Sequence, residues 1–336
     1  MRFIVRIIKK IIFGLISLFI IGLTIGWLAS GESTSVEYGV TYSAERATEL
    51  GLDWQKAYTD TLTDLQPKFV RLSAPWNEIE PIRGQFDWRE TDWLLDEAVK
   101  HNVKVTLSIG QKTPRWPECR WPNWAVELSP EARRMALLNY IKGVTERYRA
   151  HPALELWQVE NEPFFRFKFG ECELFDRIVV DDEVAAVRDI DTTHKILMTD
   201  SGELGSWREA LDAGDVFGTT LYRVVNFPNG WPMYYDWVPP KLFTLAAWLR
   251  HTSASEMYIA ELQAEPWFTD TNPLEVSVDE QKNKFPVARI ARHAWVAEHV
   301  GSRRAYWWGT EWWYFMKAKQ NEPAYWNAAR EIINNQ

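Results

Sequence analysis

The chain of 336 residues has few histidines and none of the common phosphate-binding motifs. Its six histidines fall mostly within predicted helices or at their ends, which argues against a His-based zinc site and against a Ser-His-Asp triad. Neither a Gly-x-Gly-x-x-Gly sequence nor a P-loop sequence occurs, which argues against nucleotide-binding folds. We therefore expect no cofactor and no metal.

Charge is absent from residues 11–29, which are apolar throughout and follow four basic residues with no acid. A span of this length is about long enough to cross a bilayer, and a positive flank stays in the cytoplasm. We expect residues 1–30 to form an N-terminal membrane anchor, with the amino terminus in the cytoplasm and residues 31–336 on the extracytoplasmic side. The alternative is a signal peptide cleaved near Ala29-Ser30.

The remainder of the chain is acidic. The formal net charge is −8 for the whole chain, and −8 − 4 = −12 without the four basic residues of the anchor. This charge argues against binding to nucleic acid or to anionic lipid surfaces. Tryptophan is abundant, at 20 residues. Some of these rings belong to the core, and others suit stacking on sugar rings. The sequence indicates no oligomeric state.

From about residue 35, strands and helices alternate eight times. The predicted strands cover 36–41, 69–72, 103–109, 154–163, 195–198, 216–222, 256–261 and 304–308. The predicted helices cover 53–65, 88–102, 130–148, 173–188, 207–213, 241–251, 287–300 and 324–334. Near-continuous apolar strands in this order predict a parallel α/β sheet that closes into a (β/α)8 TIM barrel. A doubly wound open sheet is the alternative, but it usually has fewer strands and a phosphate-binding turn. Residues 35–336 contain no low-complexity linker, which favours one catalytic domain over residues 31–336.

Two of the predicted strands end in a glutamate. Asn161 and Glu162 lie where strand four ends, and strand seven ends at Glu261. Active-site residues of such barrels come from the carboxyl ends of strands, so we expect these two carboxyl groups to be neighbours. Cleavage of a glycosidic bond needs such a pair, one to protonate the leaving oxygen and one to attack or to activate water. Glu160 and Glu265 are rival carboxylates, and solvated strand ends are the alternative interpretation.

Other strand ends and loops would surround this pair with aromatic and polar side chains. The strand ends add Arg71, Gly110, Tyr222 and Trp308, and the loops add Trp76, Glu78, Lys112, Trp116, Trp121, Trp124, Trp231, Gln263, Glu265, Trp267, Glu311 and Trp312.

The two cysteines follow strands three and four. Outside the cytoplasm a pair of cysteines can be oxidised, and the loops that carry Cys119 and Cys172 would be neighbours on one face of the barrel. We predict a disulfide between them, and two unrelated thiols are the alternative.

The segment Trp157–Pro163 resembles the Asn-Glu-Pro acid/base motif at strand four of the clan A glycoside hydrolases. This barrel group includes cellulases, β-xylanases, β-mannanases and β-galactosidases. The segment Ile259–Gln263 is similar to the strand-seven nucleophile of the clan, and the resemblance extends over about residues 35–315. It implies a retaining double-displacement mechanism on a β-linked glycan, with Glu162 as acid/base and Glu261 as nucleophile.

The resemblance also implies roles for other residues. Arg71 and Tyr222 would lie beside the nucleophile, Asn161 would hold a sugar hydroxyl, and Trp308 would form the floor under the sugar. Trp76 lies in a segment similar to the second loop of the clan and is a further candidate for substrate binding. From the residues alone, Arg71 could be a structural barrel arginine and Tyr222 could cap its strand.

Two positions depart from the clan pattern. Many members carry histidine at the end of strand three and two residues before the strand-six tyrosine. Here the end of strand three holds Ser108 or Gly110, and the position two before Tyr222 holds Thr220. The resemblance therefore does not identify the sugar. A non-catalytic carbohydrate-binding barrel is the alternative function. The presence of both glutamates favours an enzyme.

Overall fold

A closed barrel of eight parallel strands forms the centre of the computed structural model, which describes residues 2–166, 176–226, 231–268 and 272–336. The strands are β1 Glu37–Thr41, β2 Phe69–Ser73, β3 Lys104–Ile109, β4 Leu154–Val159, β5 Lys195–Asp200, β6 Val216–Leu221, β7 Tyr258–Gln263 and β8 Arg304–Trp308. Each strand pairs in parallel with its neighbours in chain order, and β8 closes the barrel onto β1. The predicted TIM barrel is confirmed.

The strands form a barrel because they are apolar on both faces. In β3, for example, every residue after Lys104 is buried. One pair of polar side chains meets across the barrel, where the Thr106 hydroxyl lies 2.8 Å from that of Tyr306 on β8. This pairing is favourable because a buried polar group without a partner costs about 1–3 kcal/mol.

Helices surround the barrel. They are α1 Arg2–Ala29, α2 Ala44–Glu49, α3 Trp54–Asp60, α4 Trp76–Ile79, α5 Arg89–Lys100, α6 Asn123–Val126, α7 Pro130–Tyr148, α8 Arg177–Arg188, α9 Arg208–Ala213, α10 Lys241–Leu249, α11 Val278–Lys284, α12 Ala288–Val300, α13 Thr310–Lys319 and α14 Ala324–Asn334. Ser129 caps α7, its side chain accepting from the Ala132 N–H, with Pro130 in the first turn. Helix α13 is missing from the sequence prediction. Its residues from Thr310 to Met316 are all buried, so no single apolar stripe reveals its period.

Helix α1 contains the one segment among the described residues, Arg6–Ala29, that is long and apolar enough to cross a membrane. Its last turns contact the barrel domain. The Trp27 indole donates to the backbone oxygen of Trp237 at 3.0 Å and stacks on Trp295, with ring centroids 6.0 Å apart. Phe19 also contacts Trp237. The same residue, Trp237, therefore meets α1 at two positions.

Candidate active site

The end of β4 is shaped by a buried glutamate. The carboxylate of Glu160 accepts from the backbone N–H groups of Gln111 and Lys112, at 2.8 and 2.6 Å. It lies so close to Gly110, whose φ is +123°, that a Cβ there would collide with it. Glycine is therefore required at this position. Burial raises the pKa of Glu160 to about 7. Glu160 thus joins β4 to the loop after β3, a structural role.

Glu160 and Glu162 both have left-handed backbone conformations, with φ of 60° and 46°. Such conformations in residues other than glycine cost about 1–3 kcal/mol each and cluster at functional sites. The Glu162 N–H donates to the Thr199 hydroxyl on β5 at 2.9 Å, which holds this turn. The two residues enclose Asn161, which is buried.

The buried carboxylate of Glu261 is bound through both of its oxygens. Arg71 Nη1 lies 2.9 Å from Oε1, and the Tyr222 hydroxyl donates to Oε2 at 2.7 Å. A cation and a hydroxyl donor both stabilise the anionic form. Sequence placed Glu261 at the end of its strand, but β7 continues to Gln263, because Gln263 pairs with Trp308 on β8.

Arg71 connects the predicted nucleophile to strand four. It is fully buried, and besides Glu261 it donates from Nε to Gln158 Oε1 and from Nη2 to Asn161 Oδ1, each at 2.7 Å. Because a guanidinium only donates, the amide atom of Asn161 that faces it is the oxygen. The amide nitrogen of Asn161 is thereby left to donate elsewhere. These contacts bring four of the predicted site residues into one network.

The half-buried Glu162 lies in surroundings that disfavour its charged form, in contrast to those of Glu261. Burial and then the negative charge of Glu261 raise its pKa well above the usual range, while the positive charge of Lys112 acts in the other direction. A raised pKa favours the protonated form of the Glu162 carboxyl group. The site therefore pairs a carboxyl group with a raised pKa, Glu162, and a carboxyl group that accepts from a cation and a hydroxyl, Glu261.

The loop after β3 contributes an ion pair near Glu162. Lys112 Nζ lies 3.1 Å from Glu118 Oε2 and donates to the backbone oxygen of Glu162 at 3.4 Å. Burial raises the pKa of the Glu118 carboxyl, and Lys112 acts against this effect. Lys112 was expected near the site from the sequence, whereas Glu118 was missed because it sits in a loop without periodicity.

Arg115 was also missed. Its buried guanidinium pairs with both Glu265 and Glu311 and lies over the Trp308 ring, 4.1 Å from the ring centroid. Glu265, a rival for the nucleophile, is thus occupied by an ion pair. Trp308 is half-buried, and one face of its ring is covered by Arg115.

Glu203 was missed as well, and it holds Tyr222 in place. Its Oε1 accepts from the Tyr222 N–H at 2.7 Å, and its Oε2 accepts from the Thr220 hydroxyl at 3.2 Å. Burial raises the pKa of Glu203 to about 7. Thr220 stands where many clan members carry histidine, so this chain uses the position to support its strand-six tyrosine.

The predicted aromatic residues divide between core and surface. Trp76 is fully buried, its indole donates to Glu80 at 2.9 Å, and it stacks on Tyr140, which favours a core role over sugar contact. Trp312 is also fully buried. In contrast, Trp116 is 64% exposed. Trp267 meets the Tyr222 ring edge to face, at a centroid distance of 5.1 Å.

Cys119 is disulfide-bonded, while its predicted partner, Cys172, lies outside the described residues. Within the described part of the chain, no group of three or more His, Cys, Asp or Glu side chains is placed to hold a metal ion.

Sequence comparison gives a match over part of the chain. Residues 71–175, just under a third of the chain, match the profile of glycosyl hydrolase family 10. The β-galactosidase bgaB of Geobacillus kaustophilus is 31% identical over 104 residues, which cover 26% of this chain and 16% of that protein. The β-galactosidase BgaA of Clostridium cellulovorans is 26% identical over 128 residues, covering 32% and 19%. The matched segment thus spans less than a fifth of these relatives.

Solved structures extend the likeness of the fold to most of the chain. Xylanase 10B from Thermotoga petrophila RKU-1 has a TM-score of 0.58 at 16% identity and covers 90% of this chain and 94% of its own. The exo-β-1,4-mannosidase Op5Man5 from Opitutaceae bacterium strain TAV5 has a TM-score of 0.57 at 15% identity, covering 83% and 54%. Together with the family match, these likenesses confirm the resemblance to the barrel glycoside hydrolases of clan A.

Proposed function

We propose that this protein is a retaining glycosidase that hydrolyses a β-linked glycan or oligosaccharide. The observation that carries the proposal is the contrast between two neighbouring carboxyl groups. Glu261 accepts from Arg71 and Tyr222, whereas the Glu162 pKa is raised by burial and by the charge of Glu261. Two carboxyl groups with opposite protonation states are what a double displacement requires.

In the first step, the Glu261 carboxylate attacks the anomeric carbon, and the bond from that carbon to the leaving oxygen breaks. Glu162 transfers its proton to the leaving oxygen. The resulting ester has no charge on Glu261, so the main electrostatic cause of the raised Glu162 pKa disappears. Glu162 can then take a proton from water, whose oxygen attacks the anomeric carbon and releases Glu261.

The surrounding residues fit this sequence of steps. Asn161, its oxygen bound by Arg71, has an amide nitrogen free to donate to the 2-hydroxyl of the sugar, a contact that strengthens as positive charge grows on the ring. A retaining mechanism further requires the two carboxyl groups to lie about 5–5.5 Å apart, and a gap near 9 Å would indicate inversion.

Azide rescue tests the mechanism. The wild type is first screened against aryl β-glycosides and against β-glucans, mannans and xylans. With the substrate found, Glu261→Gly should lose turnover and regain part of it with azide, giving a glycosyl azide of inverted configuration. Glu162→Ala with azide should give the retained configuration. Glu146→Gln, at an exposed glutamate of α7, is the control and should behave as wild type.

Two results would overturn the proposal. If Glu261→Gly and Glu162→Ala both hydrolyse the substrate at the wild-type rate, the pair is wrong. If the wild type binds a glycan in the panel but hydrolyses none, the protein is the non-catalytic carbohydrate-binding barrel.

We further propose that residues 1–30 anchor residues 31–336, the catalytic domain, outside the cytoplasm. Arg6–Ala29 is long and apolar enough to span a bilayer, and basic residues precede it. Trp27 and Trp237 meet near the outer end of α1, and tryptophan is enriched at the membrane–water interface. In intact cells, protease should reach the catalytic domain, and alkaline carbonate should leave the protein in the membrane. A mature chain that begins at Ser30 would show a cleaved signal peptide instead.

A further inference from the structure

The loop after β3 folds into a two-stranded finger, residues Gln111–Arg120. The Arg120 N–H donates to the Gln111 carbonyl at 2.8 Å, and the Thr113 N–H donates to the Glu118 carbonyl at 3.0 Å. The tip therefore consists of residues 114–117, and Arg115 lies within it. These two backbone hydrogen bonds join the two sides of the finger and fix its conformation.

The base of the finger is bound to three neighbouring loops. Arg120 forms an ion pair with Glu45 in α2, and its backbone oxygen accepts from the Asn77 N–H at 3.0 Å. At the other strand of the base, the Gln111 N–H donates to the Glu160 carboxylate at 2.8 Å. The loops after β1 and β2 and the end of β4 thus hold the base in position.

The tip reaches the opposite side of the barrel. Around the barrel, β3 and β7 are separated by three strands in either direction, so they face each other across the mouth. Arg115 in the tip pairs with Glu265, two residues beyond β7, and with Glu311, in the helix after β8. Glu311 also accepts from the Ser43 N–H after β1, at 2.6 Å. The finger therefore extends from the end of β3 to the loops that follow β7 and β8.

The finger lies over one sector of the mouth, the sector above β1, β2 and β8. The sector over β1, β2 and β8 is closed by the ion pairs of Arg115 and Arg120 and by the Glu311 contact to Ser43. The proposed acid/base Glu162, at the end of β4, and Tyr222, at the end of β6, belong to the other sector. A glycan chain that passed through the site from one sector to the other would have to cross the finger.

We propose that Arg115 determines specificity by closing one end of the substrate cleft, so that the enzyme acts on chain ends and releases short products. This inference rests on the proposed glycosidase function. The Arg115 guanidinium and the Trp308 ring beneath it form the end wall of the cleft. Trp116, 64% exposed beside Arg115, presents a ring to sugar at the tip of the finger.

The product pattern of the full-length protein tests the inference. The substrates are β-linked oligosaccharides of two to six sugars, labelled at the reducing end, from the polymer class that the wild type cleaves. From the earliest time point, the wild type should release products of one size from one end. Arg115→Ala should open the cleft, and the ratio of internal to terminal cleavage should rise at least tenfold.

Arg115→Ala leaves two carboxylates without their cation, so Arg115→Ala/Glu311→Gln is the second variant, in case the first fails to fold. Arg147→Ala is the matched control. Arg147 also pairs with a carboxylate, Asp92, and lies over a tryptophan ring, Trp88, but on the outer helix α7. The Arg147→Ala variant should retain the wild-type product pattern.

Two outcomes overturn the inference while the proposed function stands. One is random internal cleavage by the wild type, and the other is an unchanged pattern in an active, folded Arg115 variant. If the wild type hydrolyses none of the glycans in the panel, the proposed function fails, and this inference fails with it.

Discussion

Arg71 and Glu261 form an ion pair inside the barrel, with Nη1 and Oε1 2.9 Å apart and both side chains almost inaccessible to solvent. The same guanidinium binds Asn161. One buried cation therefore fixes both the proposed nucleophile and the proposed 2-hydroxyl ligand, so stability and activity should depend on it together.

Replacement of this cation should be costly. Arg71→Met leaves Glu261 buried without its countercharge, and removing one partner of a buried pair costs about 3–5 kcal/mol. Urea unfolding at pH 7 measures the free energy of unfolding. The double variant Arg71→Met/Glu261→Gln should recover most of the loss, because the uncompensated charge is gone. A loss of less than about 1 kcal/mol in Arg71→Met would be typical of an exposed pair and would contradict the buried ion pair.

Tyr222→Phe removes only the hydroxyl that donates to Glu261. Removing one donor that stabilises charge in an active site typically lowers kcat by about 10²–10³-fold. The loss of one hydrogen bond should lower the free energy of unfolding by only about 1 kcal/mol. Steady-state kinetics and urea unfolding check both values. Tyr258→Phe, at the start of β7, is the control, and an unchanged kcat in Tyr222→Phe would remove Tyr222 from the proposed site.

The alkaline limb of the pH profile should report Glu162. Only the protonated form can act as acid, so kcat/KM should fall as pH rises through its pKa. Lys112 lowers this pKa and Glu118 raises it. The limb should therefore move to higher pH in Lys112→Gln and to lower pH in Glu118→Gln. Shifts in the same direction in both variants would show that Glu162 is not the acid.

Glu183 gives a pH dependence of stability. On α8 it is fully buried beside Glu160, and burial followed by the charge of Glu160 raises its pKa well above the usual range. The folded state keeps a proton that the unfolded state loses above about pH 4.3, so this group destabilises the fold as pH rises. The free energy of unfolding of Glu183→Gln should exceed that of the wild type, and the difference should grow by up to about 1.4 kcal/mol for each pH unit above about pH 4.3. Urea unfolding from pH 4 to 7 measures the difference, and the exposed Glu146→Gln should show none. A constant difference between Glu183→Gln and wild type would contradict the raised pKa.

The pairing of Cys119 with Cys172 stays a prediction. A disulfide between them would close a loop of 172 − 119 = 53 residues. Constraining the unfolded chain in this way should stabilise the fold by roughly 4 kcal/mol, less any strain. Reduction should destabilise the wild type to the level of Cys119→Ser and should leave Cys119→Ser unchanged. Two titratable thiols in the denatured, unreduced, exported protein would exclude the bond.

Local pattern was enough to predict the barrel and much of the candidate site. Strand β8 and helix α14 have the predicted bounds, because apolar periodicity and chain order depend on neighbouring residues. The same order places strand ends together at one face of a barrel. For this reason Arg71, Asn161, Tyr222 and Glu261 could be grouped from the sequence, and the structure brings them into contact.

Burial and long-range pairing were decided by the tertiary structure. Trp76 and Trp116 look alike in the sequence, yet one is in the core and the other is largely exposed. Arg115 lies 150 residues from Glu265 and 196 residues from Glu311, and only closure of the barrel places their loops opposite each other. Sequence alone determined which chemical groups stand at the strand ends. Barrel closure decided which of them are desolvated and paired, because these properties depend on contacts between residues far apart in the chain.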